Sequence, residues 1–255
     1  MDADAVADAI AEVSASVILP RFGRLADDEV EAKYPGDLVT IADREAERAL
    51  TAVLQGAYPA ALVVGEEAAF ADPGLLAGLT EADQAWLIDP VDGTNNFAEG
   101  NPDFGVLVAE LRRGVTVRGW IWQPVAGRMF VAELGGGVRC NGMPLPAPAG
   151  RRAPVLALVP GRLRRGPVDG YDLRRTTRCC AVDYPLLFTG EIDVLAYTRM
   201  RPWDHAAGVL MVTELGGRAA LGDGTPWRPG DSGALLLASR TRELWPDAVE
   251  ALARA

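Results

Sequence analysis

Val6, Ile10, Val13 and Val17 recur at helical spacing in an alanine-rich stretch that stops at Pro20 and Gly23, which predicts an amphipathic helix. A second stripe, Ala46, Leu50, Val53 and Leu54, follows Thr40, a residue suited to cap a helix, and puts Asp43 in the first turn. Between them lies an acidic, turn-like connection containing Pro35-Gly36-Asp37. Two apolar runs, 61–64 and 85–88, are too short for helices, and each leads into acidic residues. Both read as buried strands with carboxylates at their C-terminal ends. From 104 to 141 the pattern alternates in segments 106–111, 115–122 and 128–134, separated by Arg-Gly, Pro-Val-Ala-Gly and Gly-Gly-Gly turns, which predicts an antiparallel meander.

A Pro-rich passage over 144–154 precedes a strand at 155–159 and an Arg-rich stretch at 162–178. Further on, 181–189 reads as helix, 192–197 as strand, 204–215 as helix up to Gly216-Gly217, 234–238 as strand, and 246–255 as a closing helix with Pro246 at its first position. Alternating helices and sheets imply a layered α/β fold. The Pro-rich passage divides it into an N-terminal α+β subdomain, 1–148, and a C-terminal α/β subdomain, 149–255.

Charge and composition narrow the chemistry. Of 255 residues, 25 are Lys or Arg and 35 are Asp or Glu, a formal net charge of -10, which disfavours nucleic acid as primary partner and anionic membranes alike. An anionic ligand would need the field inverted locally, and bound divalent cations do that. The acidic start, Met1-Asp2-Ala3-Asp4, and the lack of any apolar run near the ~18 residues that span a bilayer predict a cytoplasmic protein. Cys140, Cys179 and Cys180 show no paired metal spacing and read as small core residues in a reducing compartment. His205 is the lone histidine, so a zinc site needing two imidazoles cannot be assembled, and the residue reads as structural or rim-lying. No Walker A loop occurs, and no cysteine has an arginine six residues on.

The most informative segment is Asp89-Pro90-Val91-Asp92-Gly93-Thr94-Asn95-Asn96-Phe97. A buried strand delivers Asp89, Pro90 stiffens the exit, and Gly93 lets the backbone turn sharply after Asp92. Gly93, Thr94 and Asn95 then open a turn or helix whose free N–H groups suit a phosphate, while the Thr94 hydroxyl can hold a water. Gly65-Glu66-Glu67 follows the other short strand, and Trp203-Asp204-His205-Ala206-Ala207-Gly208 opens a late helix that Asp204 can also cap. Glu66, Asp89, Asp92 and Asp204 offer hard oxygen donors, which select Mg²⁺ or Mn²⁺. So many carboxylates cannot share a site without cations between them.

These three segments, in this order and spacing, resemble the inositol monophosphatase family of Mg²⁺-dependent, lithium-sensitive phosphatases, across nearly the whole chain. The resemblance implies a layered αβαβα sandwich shared with fructose-bisphosphatases, usually as a homodimer, with two or three Mg²⁺ per subunit. Carried over by motif, Glu66 and Asp89 hold one metal with the Val91 carbonyl, and Asp89, Asp92 and Asp204 hold a second. Thr94, backed by Asp43, orients the attacking water, with Glu66 joining them as catalytic, and Lys33 matches a site lysine. Tyr197 stands where the family has an inositol-contacting glutamate; a phenol can stack or donate but cannot accept twice. Arg199 and Arg201 either meet a second anionic group or face solvent.

The implied activity is hydrolysis of a small polyol, sugar or inositol-type phosphate by metal-activated water. Sister activities on histidinol phosphate, fructose bisphosphate or a 3'-phosphonucleotide share the same motifs. A non-catalytic metal- or phosphate-binding regulator is the alternative from another class, and the intact ligand set with Thr94 argues against it.

Overall fold

The computed structural model describes residues 1–34, 36–147, 154–159 and 167–254. Helix α1 (Ala3–Val13) buries Val6, Ile10 and Val13 as its stripe predicts, and runs through a π turn, Ser14–Ile18, into a short 3-10 turn at Pro20, where the missing N–H ends the ladder. The connection expected to be only a turn is a hairpin of β1 (Val30–Tyr34) and β2 (Asp37–Thr40). Its β1 strand leaves no fully buried residue, so no apolar face betrays it in the sequence. Helix α2 (Ile41–Ala57) starts with a capping box, in which the Thr40 side chain accepts from the helix N-terminus and Asp43 reaches back to the Thr40 N–H.

The strands β3 (Leu62–Gly65), β4 (Ala85–Asp92), β5 (Gly105–Arg112), β6 (Val115–Gln123), β7 (Arg128–Glu133), β8 (Gly137–Cys140) and β9 (Met143–Pro144) form one seven-stranded sheet in chain order. All pairs are antiparallel except β3 with β4, so the expected meander is present and extended by β4 before it and β8 and β9 after it. Alternate side chains of this sheet go opposite ways. Trp86, Ile88, Val106, Val108 and Trp120 join α1 and α2 in one core. Leu87, Leu107, Ala109, Ile121 and Phe130 join α5 (Cys180–Phe188) and α6 (Pro202–Glu214) in another. Two short helices, α3 (Glu66–Ala71) and α4 (Thr94–Ala98), follow β3 and β4.

Beyond α5 and α6 lies a five-stranded sheet in the order β11 (Asp172–Arg175), β10 (Val155–Leu158), β12 (Val194–Tyr197), β14 (Leu236–Ser239), β13 (Arg218–Leu221). Helix α7 (Leu244–Arg254) covers its far face. The layers are thus α-β-α-β-α, and α5 and α6 are buried nearly all round because each sits between two sheets. Glycine at 208 allows that closeness, since a Cβ there would lie 2.3 Å from the Tyr184 ring.

Several boundaries shift by a few residues, and three of the shifts bear on capping or on the site. Helix α6 begins at Pro202, so Asp204 sits in its first turn and does not cap it. Helix α7 begins at Leu244, which makes Pro246 its third residue rather than its first; that N–H has no intrahelical acceptor either, so proline is tolerated. Strand β4 continues past Ile88 to Asp92. The expected division at 148/149 lies outside the described residues, as does 162–166 of the Arg-rich stretch. Among the described residues no helix is long and apolar enough to cross a membrane.

Candidate active site

Strands β3 and β4 run parallel with Gly65 paired to Ile88, so Glu66, just past the end of β3, comes beside Asp89 of β4. Residues 89 and 92 would lie on opposite faces of a regular strand. The register of β4 against β5 slips between them, and both line one cleft of about 340 Å³ together with Glu66, Thr94, Tyr197 and Asp204. Gly93 ends the strand at φ 84°, and a Cβ there would sit 2.9 Å from the Asp103 carbonyl oxygen. It opens α4 without a side-chain cap, and Gly93, Thr94 and Asn95 line the cleft at this helix start, where first-turn N–H groups have no intrahelical acceptor. The Asn95 amide donates to the Gly36 carbonyl at 3.0 Å, tying this turn to the β1–β2 hairpin.

From the opposite side, the first turn of α6 brings Asp204 to Glu66 and Asp89. One carboxylate oxygen from each lies within 4.8 Å of the others. Asp92 shares the cleft but lies outside that triplet. Its Oδ2 accepts from the Ala181 N–H at 2.5 Å and from the Cys179 thiol at 3.1 Å. Cys179 is therefore more than core filler, since its thiol orients a site carboxylate. Among the described residues Asp89 Oδ1 is buried with no hydrogen-bond partner, a costly state for a charged oxygen.

Electrostatics agree with that orphan. Burial pushes the Asp89 carboxyl well above the usual range, and Glu66, Asp92 and Asp204 push it further. Burial also raises Asp92 to about 7, against the pull of the Ala181 amide and the Cys179 thiol. Divalent cations remove both penalties, and a donor set made of oxygens suits Mg²⁺ or Mn²⁺.

Beside the carboxylates sits a hydroxyl with a buried partner. Thr94 Oγ1 lies 3.0 Å from Asp43 Oδ1 and 3.0 Å from the Val91 carbonyl oxygen. Asp43 is 1% exposed, and its Oδ2 accepts from both the N–H and the hydroxyl of Thr40. Burial raises the Asp43 carboxyl to about 7, offset in part by Thr40 and reinforced by Glu67 and Glu66. Lys33 does not line the cleft; its ammonium donates to Glu66 Oε1 at 3.0 Å and to Glu67 Oε1 at 2.5 Å. Burial works against its charge, but Glu66 and Glu67 outweigh burial and raise its pKa. Arg201 donates to the same Glu66 oxygen at 2.7 Å.

The substrate side differs from a carboxylate-lined wall. Tyr197 lines the cleft, yet its hydroxyl donates to Asp183 Oδ2, which leaves its ring as the contact surface. Asp183 also accepts from the Thr177 N–H and hydroxyl. Arg178, Arg199 and Arg201 complete the wall. His205 is fully buried. Its Nε2 donates to the Arg199 carbonyl at 2.8 Å, so its Nδ1 accepts from the Tyr184 hydroxyl at 3.1 Å, and burial lowers its pKa to about 4. It is a structural residue, not a rim residue. Sequence reading missed the Arg201–Glu66, Cys179–Asp92 and Asp183–Tyr197 pairs, because each joins two different elements and only the fold brings them together.

Comparison with known proteins agrees with the geometry. The sequence model of the inositol monophosphatase family matches residues 2–254. The inositol-1-monophosphatase of Rhizobium meliloti (strain 1021) is 32% identical over 224 residues, covering 82% of each chain. Nus factor SuhB of Escherichia coli (strain K12) is 32% identical over 209 residues, covering 74% of each. Among solved structures, an IMPase/NADP phosphatase complexed with Mg²⁺ and phosphate superposes with a TM-score of 0.80 at 21% identity, over 96% of this chain and 91% of that one; at that identity the match speaks to the fold. The chain belongs to the inositol monophosphatase family and is a phosphoric monoester hydrolase.

Proposed function

We propose that this chain is a Mg²⁺-dependent, lithium-sensitive phosphomonoesterase acting on a small polyol, sugar or inositol-type phosphate, cytoplasmic and homodimeric. The observation that carries the reading is the meeting of Glu66, Asp89 and Asp204, one of whose oxygens, Asp89 Oδ1, is buried without a hydrogen-bond partner among the described residues. Those three, with Asp92 and the Val91 carbonyl, would hold two or three Mg²⁺, with Mn²⁺ as a substitute. Bound there, the cations supply charge neutralisation and Lewis-acid polarisation of water and phosphate.

The chain's own residues do the rest. With its proton directed to Asp43 Oδ1, Thr94 Oγ1 presents a lone pair that accepts from a water and aims it at phosphorus. Asp43, held near 7, is poised to take a proton through Thr94 at neutral pH. The N–H groups opening α4 receive phosphate oxygens. Cys179 and the Ala181 N–H fix one oxygen of Asp92, so the other is left for a cation. A solved relative in fold that carries Mg²⁺ and phosphate supports the cofactor. The test is a phosphatase screen with Mg²⁺ and with chelator over inositol, sugar, histidinol and nucleotide phosphates. Turnover in Mg²⁺ that chelator removes is expected; turnover indifferent to chelator overturns the reading.

A second reading of the substrate follows from the wall. Arg178, Arg199 and Arg201 line the cleft and the Tyr197 hydroxyl is engaged by Asp183. That chemistry favours a phosphomonoester carrying a further anionic group, such as a bisphosphate or a 3'-phosphonucleotide, over a neutral polyol ester.

A further inference from the structure

Helix α3, which carries Glu66 at its first position, has glycine at its N-cap and so no side-chain cap of its own. The missing acceptor comes from another helix. Glu47 of α2 accepts from the Glu67 N–H through Oε2 at 2.8 Å and from the Ala68 N–H through Oε1 at 2.9 Å. A carboxylate that takes two first-turn N–H groups is both a charge-assisted bidentate acceptor and a favourable charge at the positive end of a helix. Gly65 is part of the same device, since a Cβ there would fall 2.1 Å from the Glu47 carboxyl carbon. Only glycine lets the carboxylate come so close.

Glu47 stands one helical turn after Asp43, on the same buried face of α2 as Ala46, Leu50 and Leu54. One helix therefore holds Thr94 through Asp43 and the base of Glu66 through Glu47. Burial in that stripe raises the Glu47 pKa, the Glu67 and Ala68 N–H groups pull it back, and the Glu67 and Glu66 carboxylates push it up further. Packing alone gives no reason for a carboxylate there, because an apolar residue would extend the stripe.

We propose that Glu47 is a positioning residue for the hydrolysis: by capping α3 from α2, it fixes the Glu66 carboxylate in register with the Asp43–Thr94 pair, and so sets the affinity of the site for divalent metal. The proposal rests on Glu66 being a metal ligand, as read above. It predicts that loss of the Glu47 carboxylate weakens metal binding while Thr94 and Asp43 remain in place.

The experiment measures Mg²⁺ activation and direct Mn²⁺ binding in purified full-length protein for wild type, Glu47→Gln, Glu47→Ala, Gly65→Ala and Glu66→Gln, with thermal unfolding in parallel. Glutamine keeps the shape but turns an NH₂ group toward one α3 donor. Gly65→Ala keeps the carboxylate but pushes it away. Each is expected to raise the metal concentration for half-activation by about 10-fold or more, with a smaller loss of kcat at saturating metal. The Glu47→Ala and Gly65→Ala effects are expected to be less than additive when combined, because both break one contact. A drop in melting temperature with unchanged metal affinity in the Glu47 and Gly65 variants, while Glu66→Gln loses metal, would show a purely structural cap and overturn the proposal. If Glu66→Gln itself binds metal as wild type does, the ligand reading is what fails.

Discussion

Asp43→Asn should move activity and stability in opposite directions. In the folded protein the Asp43 carboxyl is raised from 3.8 to about 7 by burial, a displacement worth about 4 kcal/mol, as an upper figure, against the ionised form. The sign follows from linkage. Between those two values the folded chain holds a proton that the unfolded chain has released, so stability is full below about 4, falls as pH rises toward 7 and is flat above it. An asparagine does not ionise. Its oxygen can keep the two Thr40 donors that Asp43 Oδ2 accepts, and its NH₂ group then faces Thr94 Oγ1. That contact reverses the Thr94 bond: the hydroxyl proton turns to the Val91 carbonyl, already 3.0 Å away, and no carboxylate remains behind Thr94 to take the proton that the attacking water gives up. The expected result is a loss of kcat of about 100-fold or more, with Mg²⁺ half-activation little changed. The metal-free variant, unfolded thermally or by urea in chelator, should gain stability over wild type at pH 8 and lose that gain at pH 4. Wild-type turnover in Asp43→Asn, or a stability gain equal at both pH values, would refute the reasoning.

Other expectations follow from single contacts. Asp92→Asn keeps an oxygen for the Ala181 N–H and the Cys179 thiol but removes a ligand charge, so a circular dichroism spectrum like wild type with no Mg²⁺-dependent turnover is expected. Gly208→Ala places a Cβ against the Tyr184 ring and should lower stability by about 1–3 kcal/mol in urea melts, through overpacking. Tyr197→Phe removes a donor from buried Asp183, costing about 1–3 kcal/mol of stability, while KM stays near wild type because that hydroxyl serves the protein. Arg178→Ala should raise KM for a bisphosphorylated substrate more than for its monophosphate, since Arg178 lines the cleft wall; equal effects on both would remove the second-anion reading.

The site was legible where its chemistry is written in one segment. Asp89 through Phe97 carries two carboxylates, the turn glycine and the hydroxyl within nine positions, and the structure seats the strand, the slip in register and the α4 opening on those same residues. Order along the chain linked Glu66 and Asp204 to it, and the fold brings them to Asp89. What escaped reading was charge used inside the protein. Glu47 looks like an ordinary helix carboxylate until its place in the buried stripe of α2 is noticed. Lys33 faces Glu66 and Glu67 instead of the cleft, and the Tyr197 hydroxyl faces Asp183. The β1–β2 hairpin escaped for a related reason, since a strand with no fully buried residue has no period to detect.

The central claim, that distant carboxylates assemble a divalent-metal site, is tested most directly by an anomalous difference map from crystals soaked in Mn²⁺. The account predicts peaks between Glu66, Asp89 and Asp204, with Asp92 completing the coordination of one ion. An occupied Mn²⁺ position elsewhere in the molecule, with none among these carboxylates, would contradict it.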